Sequence, residues 1–105
     1  MPTISEIFQW MPDRYRPGVL NATRSYYFSV GPHKYTATLT PQACSVQAGK
    51  AAERADVVLK TTEKLFLRMV VDGKMPGALD IARGRIKTND PGALKQLQDL
   101  FDFSQ

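Results

Sequence analysis

The fold is decided by the stretch ADVVLKTTEKLFLRMVVDGKMPGALDIARGRIKTNDPGALKQLQDLF, residues Ala55–Phe101. Its apolar side chains recur every second residue over Ala55–Thr61 and then about every 3.6 residues, which predicts a strand followed directly by a helix. Thr62 is placed to cap this helix, because a threonine hydroxyl accepts a hydrogen bond from the free N–H groups of a first turn. Gly73 is expected to end it, because glycine readily adopts the left-handed conformation found just past helices.

The second half of this stretch predicts three further elements. Pro76–Ala82 is typical of a short helix, since proline is favoured in a first helical turn. Gly84 then interrupts the chain, and Arg85–Thr88 is a short strand. A last helix follows, capped by Asn89 or Asp90 and with a proline in its first turn. The predicted order is therefore strand, helix, short helix, strand and helix.

This order of elements resembles the sterol carrier protein 2 family, the SCP-2-like lipid-binding domains. The motifs that carry the resemblance are, in chain order, Ala55-Asp56, Gly73, Met75-Pro76, Gly84-Arg85-Ile86-Lys87 and Asn89-Asp90. The resemblance extends over residues 21–103. It implies an α+β fold with a five-stranded, mainly antiparallel, curved sheet that helices cover on one face. It also implies that lipid is bound between sheet and helices, without catalysis.

Upstream of this stretch the sequence predicts three more strands. Polar and apolar side chains alternate along Arg24–Val30 and Tyr35–Leu39, Ala43–Ala48 is a third strand, and Gly or Pro separates these segments. Consecutive strands joined by short turns are expected to pair antiparallel, with their apolar face covered by helices. The loop before the first of these strands is expected to carry Tyr15 and Arg16 on the surface.

The first twenty residues predict a helix and a loop. Thr3 and Glu6 form a capping box, so the helix should start at Ile4 and end before Pro12. One interpretation is a helix docked on the core; the other is that part of its apolar face forms a ligand entrance. The apolar stripe comprises Ile4, Ile7, Phe8 and Met11 with Trp10 at its border, and the entrance would use Phe8, Trp10 and Met11.

Composition fits one soluble domain. The chain has 105 residues, of which 43% are hydrophobic and 23% charged, so residues 1–105 are expected to form a single domain. The resemblance implies that this domain is SCP-2-like, with 1–20 as its N-terminal helix and loop. The net charge is +4. Its basic residues are scattered without interleaved aromatics, which favours solvated faces and argues against nucleic acid as a partner. The alternative is transient contact with an anionic membrane surface.

Cysteine content and hydropathy bear on the expected location. Cys44 is the only cysteine, so the chain has no internal disulfide and suits a reducing compartment. No secretory signal pattern and no apolar run long enough to cross a bilayer is present, and the last residues are not a Ser-Lys-Leu address. We therefore expect a cytoplasmic protein.

The helix after Thr62 has more apolar surface than one sheet can cover. At ~100° per residue its apolar side chains spread over ~240°. The closing helix is one-sided, with an apolar arc of ~120°. The excess surface must meet another helix, a ligand or a second copy of the chain. The wide arc comprises Leu65, Phe66, Leu67, Met69, Val70 and Val71, and the narrow one Ala93, Leu94, Leu97, Leu100 and Phe101.

Residues for catalysis are sparse. His33 and Cys44 are the only imidazole and thiol, and their predicted positions make a Cys–His nucleophile pair unexpected. One His and one Cys without clustered carboxylates do not supply a metal site. The glycines are spaced too widely for a phosphate-binding loop. We therefore expect no enzyme, no metal and no cofactor.

These observations predict binding of an apolar ligand, such as a fatty acyl chain, a sterol-like molecule or an isoprenoid, with intracellular transfer as an open extension. An empty pocket of ~300 Å³ would cost about 7 kcal/mol, so the pocket should be narrow and partly collapsed, or carry a ligand. The predicted lining comprises Phe8, Trp10, Met11, Tyr26, Phe28, Leu39, Val57, Leu59, Phe66, Met69, Val70, Leu97 and Phe101.

The sequence leaves one alternative function open. The same apolar surface suits a non-enzymatic interaction or dimerisation module, for example an accessory factor in a lipid-linked pathway. A monomer and a homodimer are both compatible with the pattern. Carried lipid would favour the first function, and a mass that depends on concentration would favour the second.

Overall fold

The computed structural model describes residues 3–49, 55–72 and 82–101. They form an α+β domain, as predicted, with a mixed, mostly antiparallel, curved sheet of five strands. The helices are α1 (Ile4–Arg14), α2 (Glu63–Val70) and α3 (Pro91–Leu100). The strands are β1 (Arg24–Val30), β2 (His33–Leu39), β3 (Cys44–Ala48), β4 (Val57–Thr61) and β5 (Ile86–Thr88).

The strand order is β3-β2-β1-β4-β5, with β1 in the centre. Neighbours β1 and β2, β2 and β3, and β4 and β5 pair antiparallel, whereas β1 and β4 pair parallel. The expectation that all consecutive strands pair was therefore wrong for β3 and β4. The apolar run Val57-Val58-Leu59 suits a strand flanked on both sides, and the chain reaches that position by crossing from the β3 edge.

The predicted alternation along the strands is confirmed. Tyr26, Phe28 and Val30 of β1 are buried on one face, and Val57 and Leu59 of β4 lie on the same face. We call this the inner face, since α1 and α2 bury their apolar stripes in the same core. The opposite, outer face carries mainly serine, threonine and lysine side chains.

Side-chain caps begin the three helices. The capping box of α1 is present, with Thr3 N–H donating to Glu6 Oε1 (3.1 Å) and Glu6 N–H to Thr3 Oγ1 (3.2 Å). Thr62 caps α2, as predicted. Asp90 caps α3, while the neighbouring Asn89 accepts from the Val58 N–H of β4 at 2.8 Å instead. The choice between Asn89 and Asp90 was thus made by a long-range hydrogen bond.

Several predicted boundaries were displaced. Helix α1 continues through Pro12 to Arg14; because Pro12 lies in the last turn, only one intrahelical hydrogen bond is lost. Helix α2 ends at Val70, and Gly73 lies outside the described residues, as does all of the predicted short helix before Ala82. Strand β1 has the predicted bounds, and the other four strands differ from the predictions by one or two residues at their starts.

Tyr15 was expected on the surface and is instead buried, with 8% exposure. Its hydroxyl donates to the Thr40 carbonyl at 2.6 Å, and its ring lies 5.6 Å from that of Phe101. The two residues also form an isolated antiparallel bridge. Tyr15 therefore ties the end of α1 to the end of α3, a contact between residues far apart in the chain. Arg16 is exposed, as predicted.

Candidate apolar binding site

Aromatic rings fill the space between the inner face of the sheet and the helices. Phe8 of α1 stacks on Tyr35 of β2 with centroids 4.2 Å apart, and lies 5.3 Å from Phe28 and 5.5 Å from Phe66 of α2. Phe28 is in turn 5.9 Å from Phe66 and from Tyr26. Offset and edge-to-face rings at these distances attract one another beyond the burial of their area. Phe8 is the ring that joins sheet and helices.

The thirteen residues predicted to line a pocket belong to this core or pack against it. All of them are buried except Trp10 and Val70, which are half-buried. Trp10 lies on the rim of α1, where the Arg14 guanidinium sits 5.3 Å from its ring. The structure brings these side chains together around the aromatic rings, and their contact with a ligand stays a prediction.

A surface groove of about 240 Å³ runs between α1 and the inner face at the β3 edge. Its floor is the stacked pair Phe8 and Tyr35, and its rim includes exposed residues of α1 and β3. The volume is below the ~300 Å³ at which drug-sized pockets begin, so the groove accommodates a chain or a ring rather than a whole lipid. The lining residues are Phe8, Gln9, Pro12, Tyr35, Val46 and Ala48.

Of these lining residues, sequence analysis named only Phe8. The signal for the three strand residues lay in the register of β2 and β3, where Tyr35 is paired with Ala48 and Ala37 with Val46, whereas Gln9 and Pro12 belong to α1. A small alanine beside a large ring at the edge of a sheet leaves free space. That pairing is not visible in either strand alone.

Polar groups at the groove are few. Gln9 is exposed on its α1 side, and the Tyr35 hydroxyl lies 3.5 Å from Ser5 Oγ, at the limit of a hydrogen bond. A groove of this kind holds apolar atoms in its floor and offers an amide and a hydroxyl to a polar end group.

Tyr26 places a polar atom inside the core. Its hydroxyl is buried and has no hydrogen-bond partner among the described residues. Burial raises the pKa of Tyr26, and the nearby Arg24 guanidinium lowers it through its charge and a polar contact with the hydroxyl that falls short of hydrogen-bond geometry. Arg24 instead donates to Gln96 Oε1 of α3 at 2.9 Å.

His33 and Cys44 are far apart. Cys44 is paired with Leu39, six residues along β2 from His33, which separates them by about 20 Å at ~3.4 Å per residue. His33 Nε2 lies 2.8 Å from Glu63 Oε1. Burial raises the pKa of the Cys44 thiol to about 12, so it is neutral at physiological pH. The two side chains do not form a nucleophile and base.

In the described parts of the chain, no group of three or more His, Cys, Asp or Glu side chains is arranged to hold a metal ion. No helix in those same parts has both the length and the apolar character needed to cross a bilayer.

Comparison with solved structures identifies the fold. A ubiquinone synthesis protein described as UbiJ-SCP2 superimposes with a TM-score of 0.61 over 90% of this chain and 85% of its own. This chain has the SCP2-like fold. The sequences are 12% identical, no family model matches this chain, and no curated protein matches it.

The SCP2-like fold is also found inside a larger protein. The stereoselective inverting sec-alkylsulfatase Pisa1 from Pseudomonas sp. superimposes with a TM-score of 0.78 over 96% of this chain, at 17% identity. The present chain spans only 16% of that sulfatase. The likeness therefore concerns one segment of the sulfatase.

Proposed function

We propose that this chain binds an apolar ligand, such as a fatty acyl chain, a sterol-like molecule or an isoprenoid, and that the groove beside Phe8 is its mouth. The observation that carries the proposal is an aromatic, mostly apolar groove that adjoins an aromatic core through a single side chain. The structural neighbours add support, because their names refer to ubiquinone and to alkyl sulfates, both of which contain hydrocarbon chains.

Phe8 is the residue on which entry would depend. One side of its ring lines the groove, and the ring also contacts Phe28 and Phe66 in the core. A ligand chain that displaced this ring would reach the predicted lining residues behind it. Each Å² of apolar surface so buried contributes ~25 cal/mol, which supplies affinity without charged contacts.

The first test is native mass spectrometry of freshly purified protein beside a denatured sample. An added mass of a few hundred daltons (roughly that of a lipid or drug-sized ligand) that is lost on denaturation would support the proposal, and solvent extraction would identify the ligand class. A protein that comes bare from cells and binds no fluorescent fatty acid in titrations would contradict it.

A matched pair of variants tests the groove itself. Ala48→Phe places a ring in the groove, whereas Gln47→Phe places the same ring on the outer face of the same strand. We expect Ala48→Phe to weaken binding of a fluorescent fatty acid by about tenfold, or ~1.4 kcal/mol, and Gln47→Phe to change it less than about twofold. Equal effects of both variants would locate the binding site elsewhere.

A second candidate function is favoured by the position of β3. This strand is an edge of the sheet and borders the groove, so a strand from a second copy or another protein could pair with it. A molecular mass that rises with concentration, together with no extractable lipid, would support this interaction module. Val46→Pro removes an N–H that points away from β2, because the hydrogen-bonded pairs of the two strands are those in register with Lys34–Gly49 and Thr40–Ala43, and this variant should then abolish association.

We propose a binding role without catalysis for this chain, and the sulfatase activity of the larger neighbour is not carried over to it. The separation of His33 from Cys44 and the neutral thiol support this proposal. A single SCP2-like domain over residues 1–105 and a cytoplasmic location remain proposals too, which limited proteolysis and cell fractionation would test.

A further inference from the structure

The outer face of the sheet carries a row of lysines. Ser29 of β1 is paired in register with Lys34 of β2 on one side and with Lys60 of β4 on the other. Lys60 is paired in turn with Lys87 of β5. These four residues form a line across four adjacent strands, about 14 Å long at ~4.8 Å per strand. The three lysines are exposed, and we call this line the lysine row.

Repulsion within the lysine row lowers the stability of the folded sheet. Lys60 and Lys87 face each other on antiparallel strands, and like charges in that position destabilise a sheet. In the described ranges no carboxylate pairs with the row. Glu63 lies against His33 at 2.8 Å, and Asp56 accepts from a serine N–H of β1 at 2.9 Å. Violations of pairing rules without a local compensation are typical of functional surfaces.

From this arrangement we propose that the lysine row docks the protein on the headgroups of an anionic lipid bilayer. Lysine side chains near such a surface are attracted to acidic phospholipids. The rest of the outer face supports this contact, because Ser29, Thr38 and Ser45 add hydroxyls that can donate to phosphate and carboxylate oxygens.

The chemistry of the outer face distinguishes a bilayer from other anionic partners. Among the described outward-facing strand residues, only Tyr27 and Val58 present large apolar groups, and both are half-buried. A protein partner normally needs an apolar centre in its interface, and single-stranded nucleic acid normally stacks on several aromatic rings. A headgroup layer needs only cations and hydrogen-bond donors.

The lysine row also lies where it would serve the proposed ligand binding. Lys34 directly precedes Tyr35, and Tyr35 is paired with Ala48, so the row and the groove occupy the same end of the sheet on opposite faces. Docking through the outer face would leave the groove uncovered, because its mouth opens on the face that points away from the headgroups. The inference thus extends the proposed function and rests on it only for this consequence.

Vesicle co-sedimentation tests the docking with a matched pair of variants. Lys60→Gln/Lys87→Gln removes two charges from the row, and Lys64→Gln/Arg68→Gln removes two exposed charges from α2. On phosphatidylserine-rich vesicles at low salt we expect about a 25-fold loss of affinity for the first variant and about a twofold loss for the second. Adding Lys34→Gln to the first should raise the loss to about 100-fold.

Three results would overturn the proposal. They are equal losses for the two double variants, equal binding to phosphatidylcholine vesicles, and no binding of the native chain to anionic vesicles. A single-stranded oligonucleotide or polyglutamate that bound more tightly than vesicles through the same lysines would replace the bilayer as the partner. Thermal unfolding guards against misfolding, because Lys87→Gln relieves repulsion and should raise the Tm while it weakens vesicle binding.

The two proposals fail separately. In vesicle-free solution the lysine variants should bind a fluorescent fatty acid as the native chain does, and Ala48→Phe should keep its vesicle binding. If the lysine variants lose vesicle binding but still bind fatty acid, the loss is due to the lysine row and not to the groove. If the native chain binds vesicles but takes up no fatty acid, the docking proposal stands and the proposed function is contradicted.

Discussion

The two faces of the sheet are built from the same strands but meet different surroundings. The inner face packs aromatic rings of β1 and β2 against rings of α1 and α2. The outer face carries hydroxyls and three lysines that stand free of carboxylates in the described residues. Each face contains an energetically unfavourable exception. On the inner face it is a buried hydroxyl without a partner among the described residues, and on the outer face it is a pair of opposed lysines. The difference suggests that the inner face maintains the fold, whereas the outer face is available for contact.

The contrast between the two faces is tested most strongly by substitutions at two neighbouring residues of β1. Phe28→Ala removes a ring with 1% exposure that touches three other rings, so we expect a loss of about 3–5 kcal/mol in the free energy of unfolding. Tyr27→Ala, on the outer face, should cost about 1 kcal/mol or less. Urea denaturation measures both, and similar losses would mean that the outer face is also packed.

The pH dependence of stability tests how well the edge of the inner face, where Cys44 lies, is shielded from water. Because burial raises the pKa of Cys44 from 9.0 to about 12, the folded state retains a proton that the unfolded state releases. Its contribution to stability is complete below pH 9 and is lost as the pH rises through 12. Between pH 9 and about pH 10.5 the loss should be on the order of 1–2 kcal/mol.

The control for this titration is Cys44→Ala, which keeps every tyrosine and lysine but has no thiol. Its free energy of unfolding, measured by urea denaturation at the same pH values, should fall less steeply than that of the native chain. Parallel pH profiles would show that the thiol is not desolvated.

The exception on the inner face predicts a gain in stability. Tyr26→Phe removes a buried hydroxyl without a partner among the described residues, so the free energy of unfolding should rise by about 1 kcal/mol. Tyr15→Phe removes a hydroxyl that donates to Thr40 at 2.6 Å and should lower it by about 1 kcal/mol. Opposite signs are expected from the same chemical change; a loss in both variants would mean that the Tyr26 hydroxyl has a partner.

The exception on the outer face predicts the smallest effect. Lys87→Gln relieves its repulsion with Lys60, so stability at low salt should rise by about 0.3 kcal/mol. The gain should disappear at high salt, where exposed charges are screened. Lys34→Gln is the control, because Lys34 is paired in register with Ser29 rather than with another lysine, and it should change stability less. An unaltered or lower stability for Lys87→Gln would argue that the two lysines point apart.

Local patterns explain why so much of the fold could be predicted. The capping box at Thr3, the cap at Thr62 and the alternation of Tyr26, Phe28 and Val30 each depend on residues within one turn or one strand. Such features are set by neighbouring residues in the chain, and they were confirmed. The resemblance to SCP-2-like domains added the five-stranded, mainly antiparallel sheet covered by helices, which the structural comparison bears out at the level of fold.

The candidate site could be predicted only in part. Phe8 was named because it lies on the apolar stripe of its helix, but Tyr35, Val46 and Ala48 line the groove because β2 and β3 meet in one register. The predicted lining residues are ordinary core by their burial, and hydrophobicity alone does not separate core from pocket. A ligand experiment is therefore the means of assigning them.

By itself, then, the sequence determined which segments are helices and strands and which side chains of β1, β2 and β4 face the core. These properties follow from periodicity and from hydrogen bonds between residues a few positions apart. Only the tertiary structure decided that β4 pairs parallel with β1, that Tyr15 is buried against Phe101, and that separate lysines form a row. Strand neighbours and register depend on contacts between distant residues, because the period of a single strand is the same whichever partner it has.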